Sequence, residues 1–161
     1  YSMKPGEKVV PYQGRNLAIM DYTREPAFES GGAGLFSSIK DYHIFMSMLL
    51  QEGEYGGKRY LHPKTVEFLR TGQLNSRQKE FFDWPALKGY TYGNFMRILE
   101  NPAQQGVVCG KGEFGWDGWS GCYMAIHPEE RVNLLIMTAQ IDRENHCNRR
   151  KIRNYLYRYV L

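Results

Sequence analysis

Gly112-Glu113-Phe114-Gly115-Trp116-Asp117-Gly118-Trp119-Ser120-Gly121, running straight into Cys122-Tyr123-Met124-Ala125-Ile126-His127, is the stretch that decides the fold. Glycine at 112, 115, 118 and 121 is a spacing that lets another chain or a ligand approach the backbone closely. Residues 122–127 and 132–140 then flank Pro128-Glu129-Glu130-Arg131, which reads as a hairpin. Upstream, 90–99 is rich in aromatic and branched residues, as a pleated, half-buried strand is. The expectation is a meander of about three antiparallel strands.

Helices are expected on both sides of this meander. Ile39, Tyr42, Phe45, Met46, Leu49 and Leu50 fall on one helical face. Ser38 stands at the N-cap, Asp41 completes a capping box, and Gly53 is placed to end the helix in a left-handed conformation. Residues 54–58 read as a tight turn. Pro63 suits the first position of a short helix through Val66, Phe68 and Leu69, closed by Gly72. At the other end Ile152, Tyr155, Leu156, Tyr159 and Val160 are spaced for a helix lying on the sheet. Helices, then an antiparallel sheet, then a covering helix make an α+β fold, with the whole chain, 1–161, taken as one domain or fragment.

Composition agrees with a globular chain: 42% hydrophobic, 24% charged and 14% aromatic over 161 residues, with no bias toward disorder. No apolar run approaches the roughly 20 residues that span a bilayer, and Tyr1-Ser2-Met3-Lys4-Pro5-Gly6 has no signal-peptide core. A start at Tyr rather than Met leads us to expect a piece of something longer. The net charge of +4 arises in residues 142–161, where Arg143, Arg149, Arg150, Lys151, Arg153 and Arg158 outnumber Asp142 and Glu144. A basic helix can touch nucleic acid or acidic lipid. Without a second basic cluster it reads instead as a solvated face, and no nucleic-acid partner is expected. Cys109, Cys122 and Cys147 are an odd count without C-x-x-C spacing, so a disulfide framework is not expected, while one pair stays open.

Several literal motifs dissolve in context. Gly110-Lys111-Gly112-Glu113-Phe114-Gly115 matches G-x-G-x-x-G, but the following Trp116-Asp117-Gly118-Trp119 is no helix start for a pyrophosphate. His43, His62, His127 and His146 lack paired metal spacing and read as surface or capping residues, so neither metal nor cofactor is implied. Ser37-Ser38-Ile39-Lys40 contains S-x-x-K and Tyr92-Gly93-Asn94 is Y-x-N, the strings of a lysine-activated serine hydrolase. Ser38 is better explained as an N-cap, and Tyr92 lies in a strand rather than over a cleft.

Taken together, the residues resemble one family. Glu29-Ser30-Gly31-Gly32-Ala33-Gly34-Leu35-Phe36-Ser37-Ser38, with Asp41-Tyr42, Phe45 and Met48-Leu49-Leu50, is similar to the downstream helical segment of serine beta-lactamase-like proteins. These comprise class C beta-lactamases, penicillin-binding-protein-like peptidases and related esterases. Gly57-Lys58-Arg59, Leu61, Pro63 and Thr65-Val66 continue the likeness. Tyr90, Tyr92-Gly93, then 112–118 and Gly121 resemble the late strands, and His127-Pro128-Glu129-Glu130 with Leu135-Ile136-Met137-Thr138 the closing hairpin.

The resemblance implies a bacterial beta-lactamase/transpeptidase-like fold, cytoplasmic or extracytoplasmic, of which this chain is the C-terminal part. The family's catalytic S-x-x-K and Y-x-N lie upstream of the Gly-Gly-Ala-Gly-Leu segment, so the chain is expected to lack nucleophile and base. It carries the position of the third motif (K-T-G, H-x-G or W-x-G), here Trp116-Asp117-Gly118. By resemblance these three residues bind substrate and the Trp119 backbone N–H is an oxyanion donor, whose stabilising effect falls on the developing charge. Trp116 in place of lysine offers an apolar ring and an indole donor, favouring an esterase or peptidase-like parent over beta-lactam turnover. Asp117 departs from the small or hydroxyl residue common there, and suits an oxyanion site only if its carboxylate points away. The expected partners are the upstream part of the same protein, a small-molecule or peptide substrate, and a second copy of the chain. The alternative is a non-catalytic binding domain of the same fold.

Overall fold

The structure is a computed structural model that describes residues 8, 10–11, 25, 28, 31–32, 35–82, 84–139 and 145–160, with side chains from residue 148 onward in the last span. In chain order it forms α1 (Ile39–Leu50), β1 (Glu54–Tyr55), β2 (Lys58–Arg59), α2 (Pro63–Leu69), α3 (Ser76–Phe81), β3 (Tyr90–Tyr92), β4 (Arg97–Leu99), α4 (Pro102–Gln105), β5 (Phe114–Gly115), β6 (Tyr123–His127), β7 (Val132–Ile136) and α5 (Asn145–Val160). Strands β3 to β7 pair antiparallel in sequence order as one sheet. The α+β class and the covering C-terminal helix hold, with five strands in place of about three.

One extra strand comes from the 90–99 run, which is a hairpin rather than one strand, and the other is β5 inside the glycine-spaced stretch. Gly93 N–H donates to Met96 O at 2.8 Å and Phe95 takes a left-handed φ of 67°. An exposed phenylalanine and a methionine inside the turn keep the apolar pattern unbroken where the chain reverses. Short, polar α3 and α4 carry too little periodicity to be read, although Asn75 and Gln78 form a full capping box.

The start of α1 is as expected, with one change. The Ser38 hydroxyl accepts from the Asp41 N–H at 3.1 Å, but Asp41 answers the Ser38 hydroxyl, at 2.7 Å, rather than its backbone N–H. At the other end Gly53 N–H reaches Met48 O at 2.8 Å and Glu52 N–H reaches Leu49 O at 3.2 Å, a Schellman ending. Its left-handed residue is Glu52, φ 54°, while Gly53, φ 94°, follows it. Glycine is still required there, because an added Cβ would stand 2.2 Å from Leu61 O. Pro63 opens α2 as expected, behind the His62 ring as N-cap, but Gly72 does not cap it. The helix ends at Arg70, and the glycine instead leaves room for Thr91, 2.2 Å from where a Cβ would lie.

Period-two alternation gives the sheet two buried faces. Ile98, Phe114 and Ile126 are register partners and pack with Met46 and Leu49 of α1 and Val66 of α2. On the other face Tyr90, Leu99, Val107, Cys109 and Val132 meet Tyr157 of α5. All five residues of β6 are therefore buried. Each large side chain so covered is worth about 1.5–3 kcal/mol relative to exposure.

Of the apolar stripe expected to lie on the sheet, Leu156 packs inward, partly buried beside Tyr157, and the rest does not. Ile152, Tyr155, Tyr159 and Val160 are exposed, while Arg153 and Tyr157 are buried and Arg149 is nearly so. Arg149, Arg153 and Tyr157 follow at successive spacings of four, one stripe of the helix. The basic helix is a solvated face only through residues such as Arg150, Lys151 and Arg158. No helix among the described residues is long and apolar enough to cross a membrane.

Candidate functional site

Beyond Gly115 the chain stays registered on β6 for three more residues. Met124 N–H donates to Trp116 O at 2.9 Å, Asp117 forms an isolated bridge with Tyr123, and Gly118 N–H donates to Cys122 O at 2.8 Å. Gly121 N–H then closes on Gly118 O at 3.0 Å, so Trp116-Asp117-Gly118-Trp119 is the tip of a hairpin at one end of the sheet, not mid-strand. Gly115 is dictated by packing, since a Cβ there would lie 2.1 Å from Met124 O. Gly118 is not: its Cβ would sit 3.7 Å from Cys122, an ordinary contact, and its φ is not left-handed. The amides of Trp119 and Ser120, central in the turn, donate to no group among the described residues.

The four side chains part company. Trp119 is exposed, and Trp116, 38% exposed, lays its ring edge-to-face on Tyr92 at 5.2 Å. Tyr92 in turn meets Phe82 at 5.8 Å. Asp117 turns toward α5: one carboxylate oxygen accepts from Arg97 of β4 at 2.7 Å and the other from Arg149 at 2.5 Å. The ring of Tyr123 lies beneath both guanidiniums, at 4.5 and 5.2 Å. The carboxylate's charge is thus held by two cations, which is what a carboxylate at this position needs.

A second buried network sits beside it. Glu113 accepts from Arg153 at 2.6 and 3.1 Å, from the Tyr157 hydroxyl at 2.9 Å and from the Tyr90 hydroxyl at 3.3 Å. Burial, with the Glu113 carboxylate adding to it, pushes the Cys109 thiol up to about 12. Burial and the same carboxylate raise Tyr157 well above its ordinary value. Cys109 is therefore a protonated, buried thiol rather than a nucleophile.

The structure does not bring the tempting strings together. Ser38 is committed to the α1 N-cap, and among the described residues Ser37 donates to Ser38 O alone, at 3.3 Å. Asn94 donates to Phe68 O at 2.9 Å, fixing the β3–β4 turn. The Gly110–Gly115 string leads into β5, a strand. His62 is a cap, but His127 is buried, not at the surface: its Nδ1 accepts from Glu130 N–H at 3.3 Å. No metal-holding group of His, Cys, Asp and Glu occurs among the described residues. Cys109 and Cys122 are free. The Glu29-Ser30 and Ala33-Gly34 pairs of the resembling segment lie outside the described residues, as do the side chains of His146 and Cys147. Arg97, Arg149, Glu113 and Arg153 escaped the reading of the sequence. The available signal was the charged stripe of α5 at spacing four, opposite an apolar stripe that drew attention first.

The sequence matches no family model. It is 35% identical over 100 residues to Protein Rv1367c of Mycobacterium tuberculosis, covering 61% of this chain and 25% of that one. A Salmonella newport protein named putative D-alanyl-D-alanine carboxypeptidase is 29% identical over 111 residues, covering 67% of this chain and 23% of that one. The chain thus spans about a quarter of the curated relatives it matches. Among solved structures, EstCE1, a hydrolase with promiscuous acyltransferase activity, superposes with a TM-score of 0.56 at 20% identity over 70% of this chain and 27% of its own. A LovD6 mutant of simvastatin synthase from Aspergillus terreus reaches 0.64 at 19% identity over 79% of this chain and 35% of its own. The fold is that of the beta-lactamase/transpeptidase-like hydrolases, over the part that this chain covers.

Proposed function

We propose that this chain is the C-terminal part of a beta-lactamase-like serine hydrolase and forms one wall of its active site, without the nucleophile. The observation carrying this reading is the hairpin tip at 116–119. It presents a glycine that packing does not demand and a Trp119 N–H that donates to no group among the described residues, at the position that resembles the family's third motif. A serine upstream of the residues present here would pass its proton to its base, attack an ester or amide carbonyl and expel the alcohol or amine, leaving an acyl-enzyme that water hydrolyses to the free acid and the serine. The Trp119 N–H and the serine's own N–H would receive the oxyanion, acting only as charge develops. Gly118 leaves room for the acyl group along the backbone, while Trp116 offers a half-exposed apolar ring with an indole donor. That pair suits a neutral ester or a peptide better than recognition of a substrate carboxylate by lysine.

The test is a protein extended upstream to the length of the relatives. It should carry a helix-borne S-x-x-K followed by Y-x-N, and take one equivalent of a fluorophosphonate on that serine. The 161-residue chain alone should take none. An extended protein that binds D-amino-acid peptides or esters yet is never acylated would leave the non-catalytic binding domain as the function.

A further inference from the structure

We infer that Arg97 and Arg149, acting through Asp117, are positioning residues that set the 116–119 tip for oxyanion stabilisation, an inference resting on the function proposed above. Among the described residues the backbone of the tip is attached to the sheet by β6 hydrogen bonds at Trp116 O and Gly118 N–H and by its own turn bond at Gly121, with the Trp116 ring resting on Tyr92. Its single charged side chain is Asp117, and both carboxylate oxygens are taken, by guanidiniums from different elements. Arg97 comes from β4 and is itself fixed by a second bond, 3.0 Å to Met124 O. Arg149 comes from α5, far along the chain, with the Tyr123 ring stacked beneath both cations. One carboxylate held from two directions cannot swing toward the open side of the tip without breaking a charge-assisted bond.

The arrangement also has a charge consequence. Among the described residues, two guanidiniums against one carboxylate leave a net positive charge beside Asp117, because Arg153 is balanced by Glu113. A fixed positive charge there favours an oxyanion at the Trp119 N–H and costs no reorganisation during reaction. The aspartate that looked unfavourable in the motif is the handle by which α5 and β4 hold the tip. Arg97 and Arg149 touch no substrate.

Two measurements test this, with Arg149→Gln, Arg149→Lys and the exposed Arg158→Gln as a control on the same helix. In the 161-residue chain, hydrogen exchange reads the Gly118, Gly121 and Met124 amides against those of the β6–β7 ladder. Arg149→Gln should lose protection at the tip and keep it in the ladder. In the upstream-extended protein, Arg149→Gln should lower kcat on an aryl ester by roughly ten- to a hundred-fold with KM held, as small misplacements do. Arg149→Lys, which keeps the charge, should recover most of the rate, and Arg158→Gln should match wild type. An active wild type in which Arg149→Gln keeps kcat and tip protection overturns the positioning role. So does a loss of protection spread equally over tip and ladder, which marks a merely structural arginine. A wild type with no ester or amide turnover overturns the function itself, and the catalytic part of this inference with it.

Discussion

The Ser38 hydroxyl gives its proton and one of its lone pairs to Asp41, the contacts of a helix N-cap. Ser38→Ala should cost about 1 kcal/mol, the usual loss of an N-cap, read as a lower urea midpoint. Ser37→Ala, which removes only a 3.3 Å bond to a neighbouring carbonyl, should leave that midpoint nearly unmoved. Trp116 is a different kind of residue. Its ring is half-exposed and rests on Tyr92 alone among the ring contacts described for it. Trp116→Ala in the extended protein should therefore shift selectivity among esters, amides and D-amino-acid peptides more than it shifts stability. Unaltered kinetics across such a panel would remove Trp116 from the substrate's path.

Helix α5 is held to the sheet by charge where the sequence pattern promised an apolar stripe. The Arg153 and Glu113 side chains are 3% and 1% exposed, and a buried pair of this kind is costly to break from one side. Arg153→Met alone should lose about 3–5 kcal/mol by stranding the Glu113 carboxylate, and pairing it with Glu113→Leu should give much of that back. The same cluster makes the fold sensitive to alkali. The Cys109 thiol is raised from 9.0 to about 12, and Tyr90, Tyr123 and Tyr157 are raised by burial from 10.0. Each holds its proton in the folded chain after the unfolded chain has released it. The stabilisation is whole below the ordinary values and is lost as pH climbs from about 9 toward the folded ones. Urea midpoints should fall steadily above about pH 9. Cys109→Ala should flatten the first part of that fall and leave the tyrosine part.

At the scale of the molecule, β3 and β7 are the edges of the sheet among the described residues. Leu35, Ile39, Phe68 and Phe95 are exposed. Open edges and apolar surface together favour association. The 161-residue chain alone should sediment as a self-associating species that binds an apolar dye, and the upstream part should suppress both. A compact, dye-silent monomer would count against that partner. The α+β class, the α1 span with its cap, the proline at the start of α2 and the hairpin expected over 122–140, found as β6 and β7, were legible in the sequence. Each rests on local physics: a repeat of 3.6 or 2, a hydroxyl beside free amides, a ring that presets φ. The glycine spacing of 112–121 marked a stretch where another chain comes close, as β6 does at Gly115, whereas the site roles of 116–119 were implied by the family resemblance alone. What only the tertiary structure decided is which side of α5 faces inward, that 90–99 reverses on itself, and that Asp117 is drawn away from the tip. The first and last of these depend on arginines brought from β4 and from α5 to the buried Glu113 and the part-buried Asp117. The pairing energy of charges meeting across the fold leaves no periodic trace in the sequence that encodes them.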